Sequence, residues 1–167
     1  MTKLKIIHTA DWQLGKPFGR FPQEVRSTLA EARLDAIDRL SETAKQTEAR
    51  HVLVAGDVFD NIEPGDRIVT QAISRMERSP VTWWLMPGNH DHARAGGLWS
   101  RVRRLALDKV RIVDTPQSVE MEDGTWLLPA PLDHRKTVAD PTSAMVDMPT
   151  PAGALPSTSA LQQQCAS

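Results

Sequence analysis

Of the 167 residues, one is cysteine and none is tyrosine. The single cysteine, Cys165, excludes an internal disulfide and any cysteine-cluster metal site. A chain that makes so little use of thiol chemistry is expected in the cytoplasm. Net charge is nearly absent as well: 20 Lys and Arg stand against 21 Asp and Glu, a formal charge of -1. Such a balance gives no global attraction to nucleic acid, so contact with DNA has to come from a local patch or through bound metal ions. No apolar run reaches the roughly 20 residues of a membrane span. The run after Met1 is short and meets Asp11 directly, which is expected of a buried strand and not of a secretion signal. What remains is ordinary: 40% hydrophobic and 25% charged residues, enough for one domain with its own core.

Apolar patterning organises that domain. Leu4 to His8, His51 to Ala55, Val81 to Met86 and Val110 to Val113 are short apolar runs, strands by their length. Between them lie helical patterns. Pro22 opens the first, in which Val25, Leu29, Ala32, Ala36, Ile37, Leu40 and Ala44 recur at three- and four-residue spacing before His51. Asp66 to Arg78 gives a second helix, closed by Ser79-Pro80, and Leu98 to Leu107 a third. Val119 to Met121 and Trp126 to Leu128 flank the turn signal Glu122-Asp123-Gly124 and read as a hairpin. Alternating strands and helices predict an α/β fold, a mainly parallel sheet flanked by helices, with its ligand site beyond the carboxyl ends of the strands. The expected domain covers residues 1–139. From Asp140 onward Pro, Ser, Thr and Gln dominate, and residues 140–167 are expected to form a disordered tail.

Each of the first three strands runs into a loop with candidate metal ligands: Asp11-Trp12-Gln13, Gly56-Asp57-Val58-Phe59-Asp60 and Gly88-Asn89-His90-Asp91-His92. Carboxylate, amide oxygen and imidazole suit Mn²⁺, Mg²⁺, Fe²⁺ or Zn²⁺. One carboxylate can bridge two ions about 3.5–4 Å apart, a spacing that clamps phosphoryl oxygens and activates water. Asp57, on the middle loop, is the natural bridge. Gly56 and Gly88 permit tight turns and close backbone approach. Any one loop has a plain alternative, since an Asp after a strand is commonly a turn residue or a helix cap. Three in order, each at a strand's carboxyl end, make coincidence a poor explanation.

The order D-x-[H/Q], G-D-x-x-D, G-N-H-D resembles the calcineurin-like metallophosphoesterases. His8-Thr-Ala-Asp11-Trp-Gln-Leu-Gly15, Ala55-Gly-Asp-Val-Phe-Asp60 and Leu85-Met-Pro-Gly-Asn-His-Asp91 are similar in particular to the SbcD-type DNA repair exonucleases, over roughly Lys3 to His134. The resemblance implies two divalent ions, Mn²⁺ foremost. Asp11 would bind the first, Asp57 bridge both and Asn89 bind the second, while His90 stabilises or protonates the leaving oxygen. It also implies DNA as substrate and an SMC-type ATPase subunit as partner. Asp60 is expected to fix its loop or orient a ligand, and Asp91 to hold a histidine in its tautomer. His8 and His92 are expected to be structural.

The chain departs from the family pattern twice. Position 13, usually His, is Gln, a weaker donor for a borderline ion, so first-site occupancy is expected to weaken or to shift toward Mg²⁺ or Mn²⁺. The five histidines, at 8, 51, 90, 92 and 134, include no Gly-His-x-His element of the kind that completes both shells in this family. Missing later strands are expected to leave strand edges and one sheet face uncovered. The change of texture after Ala152-Gly153-Ala154 is read as a truncated or frame-shifted reading frame, which the nucleotides of the other two frames would test. Arg94, Arg101, Arg103, Arg104 and Arg111 are either phosphate contacts or, the preferred reading, a solvated basic helix face. Trp12 is a candidate for stacking on a base or sugar. The function expected is DNA phosphodiester hydrolysis. Phosphatase or small-molecule phosphodiesterase activity and an inactive fragment are the alternatives.

Overall fold

Four short apolar runs become four parallel strands in the computed structural model, which describes residues 4–122 and 124–148. They are β1 (Ile6–Thr9), β2 (His51–Ala55), β3 (Thr82–Met86) and β4 (Val110–Ile112), hydrogen-bonded in the order β1-β2-β3-β4. Helices α1 (Gln23–Thr47), α2 (Asp66–Glu77) and α3 (Leu98–Leu105) make the crossovers. Each strand is added on the same side of the last, so three right-handed crossovers place all three helices on one face. The strand residues divide accordingly, with a period of two. Val52, Val54, Trp83 and Leu85 pack with Leu34 and Ile37 of α1, Val69 and Ile73 of α2, and Trp99 and Val102 of α3. Leu53, Ala55, Trp84 and Met86 turn to the other face. None of the described helices is long and apolar enough to cross a membrane.

The second face is not bare, contrary to the sequence expectation. The hairpin β5 (Val119–Glu122) and β6 (Thr125–Leu127) lays Val119, Met121 and Leu127 on it, beside Val113. A polar contact accompanies this packing. The Trp84 indole donates to His51 Nδ1 at 3.1 Å, while His51 Nε2 lies 3.1 Å from Glu122 Oε1, which also meets Arg50 at 2.7 Å. Because Nδ1 accepts, the neutral ring carries its proton on Nε2, on the side of the carboxylate. Among the described residues no strand pairs with the outer edge of β1, where Ile6 is 38% exposed.

Two segments differ from their sequence reading. Helix α3 stops at Leu105, not Leu107, because Glu77 at the end of α2 captures the chain beyond it. The Glu77 carboxylate accepts the backbone N–H groups of Leu107, Asp108, Lys109 and Val110 at 2.7, 3.2, 3.0 and 3.1 Å. Partial burial pushes this carboxyl up, but the four donors outweigh it and hold it below the ordinary glutamate range. Glu77→Ala is therefore expected to cost about 2 kcal/mol at neutral pH, the worth of bonds to a charged group discounted for solvent access. With a lowered folded pKa the contribution is present above about pH 4.5 and lost as pH falls through the folded value. Urea denaturation at pH 7 and near pH 3 checks both statements; an equal cost at the two pH values would refute the second.

The other segment is the start of the expected tail. Pro141–Asp147 forms a 3-10 helix whose cap is Asp140, with Oδ1 accepting from Thr142 N at 2.9 Å and Thr142 Oγ1 at 2.7 Å. A local side-chain cap supplies order where the apolar content is low. The rest of the expected tail, residues 149–167, lies outside the described residues.

Candidate functional site

Since β1, β2 and β3 are parallel neighbours, their three carboxyl-end loops emerge side by side. The first two are sewn together through the main chain. Asp11 N–H donates to Gly56 O at 3.2 Å, Gln13 N–H to Asp57 O at 2.8 Å and Leu14 N–H to Val58 O at 2.9 Å, while Asp60 N–H returns to Leu14 O at 3.0 Å. Leu14 and Phe59, 1% and 0% exposed, anchor this seam in the core. The bonds hold Asp11, Gln13 and Asp57 in left-handed backbone conformations, at φ 58°, 45° and 53°. Each such residue costs on the order of 1–3 kcal/mol and persists only because its surroundings over-determine it. Three expected ligands share that strain. Gly56, at φ 94°, makes the turn before Asp57 at no steric cost.

The third loop closes on the second. His90 N–H donates to Asp57 Oδ1 at 2.9 Å, and a Cβ at position 88 would collide with the Asp57 carboxylate and its backbone nitrogen. Asp57 is consequently 7% exposed. The His90 ring has Nδ1 2.9 Å from the Asp60 carbonyl oxygen. A carbonyl only accepts, so Nδ1 carries a proton and Nε2 is the atom that gains or gives one.

Asp91 differs from its expected role. It holds no histidine; the Asp60 carbonyl sets the His90 tautomer instead. Fully buried, Asp91 clamps two loops, with Oδ2 accepting Phe59 N–H at 3.0 Å and Oδ1 accepting Gly88 N–H at 2.7 Å. The Trp99 indole donates to its backbone oxygen. Burial pushes the Asp91 carboxyl up to about 6, against the pull of the N–H groups of Phe59 and Gly88 and with a contribution from the Asp57 charge. Asp91→Ala leaves two buried donors unmatched, at about 1–3 kcal/mol each. A folded pKa above the unfolded one means that wild-type stability falls as pH rises from about 4 through about 6. In metal-free protein the gap between wild type and variant is thus expected to be wider at pH 5 than at pH 8. A gap that widens with pH would contradict this.

A cleft of about 720 Å³ lies over the loops. Asp11, Gln13, Asp57, Asn89 and His90 all line it, and Thr137, Asp140 and Thr142 belong to its wall. Asp140 and Thr142 fall in the stretch expected from the sequence to be a disordered tail, so this part of the wall was hidden there. His8, His92 and His134 do not line the cleft. Trp12 is no free stacking platform: its indole donates to Thr9 Oγ1 at 3.0 Å and it packs edge-on against Trp83 at 5.8 Å. The arginine group does not converge on the cleft either. Arg101 binds Asp66 and the Pro64 carbonyl, and Arg103 binds Asp114.

Asp57 and Asn89 offer oxygen donors of the kind that suit a hard divalent ion. The Gln13 side does not fit a second ion as it stands, because Gln13 Oε1 accepts the Lys16 ammonium at 2.7 Å. Among the described residues no group of three or more His, Cys, Asp or Glu is arranged to hold a metal.

Comparison with known proteins agrees with this geometry at the level of family. Residues 4–142 match the family described as Calcineurin-like phosphoesterase. The chain is similar to the D subunit of the nuclease SbcCD of Bacillus subtilis (strain 168), with 32% identity over 95 residues, 53% of this chain and 22% of the relative. It is also similar to the Uncharacterized metallophosphoesterase YhaO of the same organism, with 25% identity over 108 residues, 61% of this chain and 26% of the relative. The matched stretch thus spans about a quarter of each relative's length. A family match over most of the chain, on a fold that gathers the three motif loops into one cleft, shows that the chain belongs to the calcineurin-like phosphoesterases.

Proposed function

We propose that this cleft hydrolyses phosphodiester bonds of DNA with the help of divalent metal, Mn²⁺ foremost. One observation carries the reading. Asp57, Asn89 and His90 line a single cleft, with the His90 ring held through Nδ1 so that Nε2 remains for proton transfer. A divalent ion, when bound, supplies positive charge for the phosphoryl oxygens and lowers the pKa of water. The chain's own residues do the rest. The His90 backbone N–H fixes the Asp57 carboxylate, Asp57 and Asn89 would present oxygens to the cation, and His90 Nε2 would deliver a proton to the leaving oxygen. The two-ion arrangement expected from the sequence adds Asp11 and Gln13 to the donor set.

DNA as substrate is supported by the name of one relative, part of a nuclease. That name, one subunit of a complex, also supports a partner subunit, which the family resemblance gives as an SMC-type ATPase; a cytoplasmic location belongs to the same reading. The alternatives are a phosphatase or small-molecule phosphodiesterase and an inactive chain that only binds metal; the Lys16 ammonium on Gln13 favours the last of these. Incubating the chain with Mn²⁺ and single-stranded DNA, double-stranded DNA or an aryl phosphodiester separates them. Cleavage of DNA supports the proposal. Turnover of the aryl diester alone assigns the site to the small-molecule branch, and Mn²⁺ binding without turnover of either assigns it to the non-catalytic one.

A further inference from the structure

We propose that the Lys16 ammonium, bound to the cleft-lining Gln13, holds the Gln13 side-chain oxygen and keeps a divalent ion off it. The inference rests on the reading that the cleft takes divalent metal, and it concerns the half of the cleft on the β1 side. Gln13 has one side-chain atom able to ligate a cation, Oε1, since its amide nitrogen only donates. Lys16 Nζ is 2.7 Å from that atom, a charge-assisted bond.

The pairing is built into the loop. Lys16 N–H donates to Gln13 O at 3.2 Å, closing a turn that brings the two residues together. Gln13 is fixed in turn by its N–H bond to Asp57 O at 2.8 Å and by buried Leu14 beside it. Both side chains are half-buried, so solvent screens the ammonium less than it would at an open surface. An ion sharing Oε1 at an ordinary coordination distance would stand about 4 Å from the ammonium, and a +2 charge so close to a +1 charge is repelled strongly. Metal can reach Gln13 only when Lys16 leaves. An imidazole at position 13 would offer the lysine the same lone pair only when neutral; the amide oxygen is a permanent acceptor, so the lock does not depend on protonation of residue 13.

The test is isothermal titration with Mn²⁺ alone on the full chain, in four forms: the parent, Lys16→Met, Gln13→Ala and the double variant. Lys16→Met keeps the apolar stem and removes the charge, and Lys16→Ala repeats the measurement should methionine perturb the loop. We expect the lysine substitution to tighten Mn²⁺ binding at least about tenfold with Gln13 present and less than about threefold in the Gln13→Ala background, where only the general field of the charge is left. An unchanged affinity in both lysine variants overturns the proposal, and so does an equal gain in the two backgrounds. Absence of Mn²⁺ binding in all forms removes the metal reading of the whole cleft and the lock with it. That outcome is distinct from the other two, which leave the metal reading standing.

Discussion

Alanine at position 88 is expected to abolish metal binding and to destabilise the protein by about 2–4 kcal/mol. The reason is steric. A Cβ there falls on the Asp57 carboxylate and on the Asp57 backbone nitrogen, and the second of these cannot swing aside. Gly88 is not among the positive-φ glycines, so the cost is the collision alone and not backbone conformation. Relief would have to come from parting the second and third loops. That would break the His90 N–H bond to Asp57 and the bond from Phe59 N–H to Asp91 across the same gap. Urea denaturation and Mn²⁺ titration of Gly88→Ala check the two halves of the expectation. Wild-type stability together with intact binding would mean that the second and third loops separate freely.

His90→Gln is expected to lower kcat by about 10²–10⁴-fold, the usual worth of a positioned general acid, on the proposed DNA substrate. Metal affinity should change little, because Asp57 is held by the backbone N–H of residue 90 and not by its ring. The role also predicts a dependence on the leaving group. A diester that expels a weakly basic aryl oxide needs no proton, so its hydrolysis should suffer far less than that of DNA. An equal loss on both substrates would mean that His90 orients the phosphate without giving up a proton.

Much of this was legible in the residues. The alternation of apolar runs with amphipathic stretches gave the order of strands and helices. The placement of Asp11, Asp57 and Asn89-His90 after strands put them at one end of a parallel sheet, and the cleft indeed unites them. What stayed hidden depends on where side chains travel in three dimensions. Asp91 sits next to a histidine in sequence, yet its Oδ2 reaches the backbone of Phe59, 32 residues away. Glu77 looks like one more helix charge until the chain entering β4 folds back onto it. Trp99, uninformative by itself, proves to brace the third loop from α3. The apolar pattern of the hairpin could not say which face it covers, because that follows from the sense in which the strands accumulate. Lys16 is close to Gln13 in sequence, but only the left-handed turn at Gln13 brings the ammonium to the amide.

The seam between the first two loops bears on how such a site changes over generations. Its bonds run from main-chain N–H to main-chain oxygen at Asp11, Gln13 and Leu14. The fold asks position 13 for a backbone of a particular shape and is indifferent to the donor at the end of the side chain. A histidine there can be exchanged for glutamine without the loop losing a hydrogen bond. Selection on folding therefore exerts little hold on the chemistry, and a lineage can drift away from its ancestral reaction while inheriting the architecture intact.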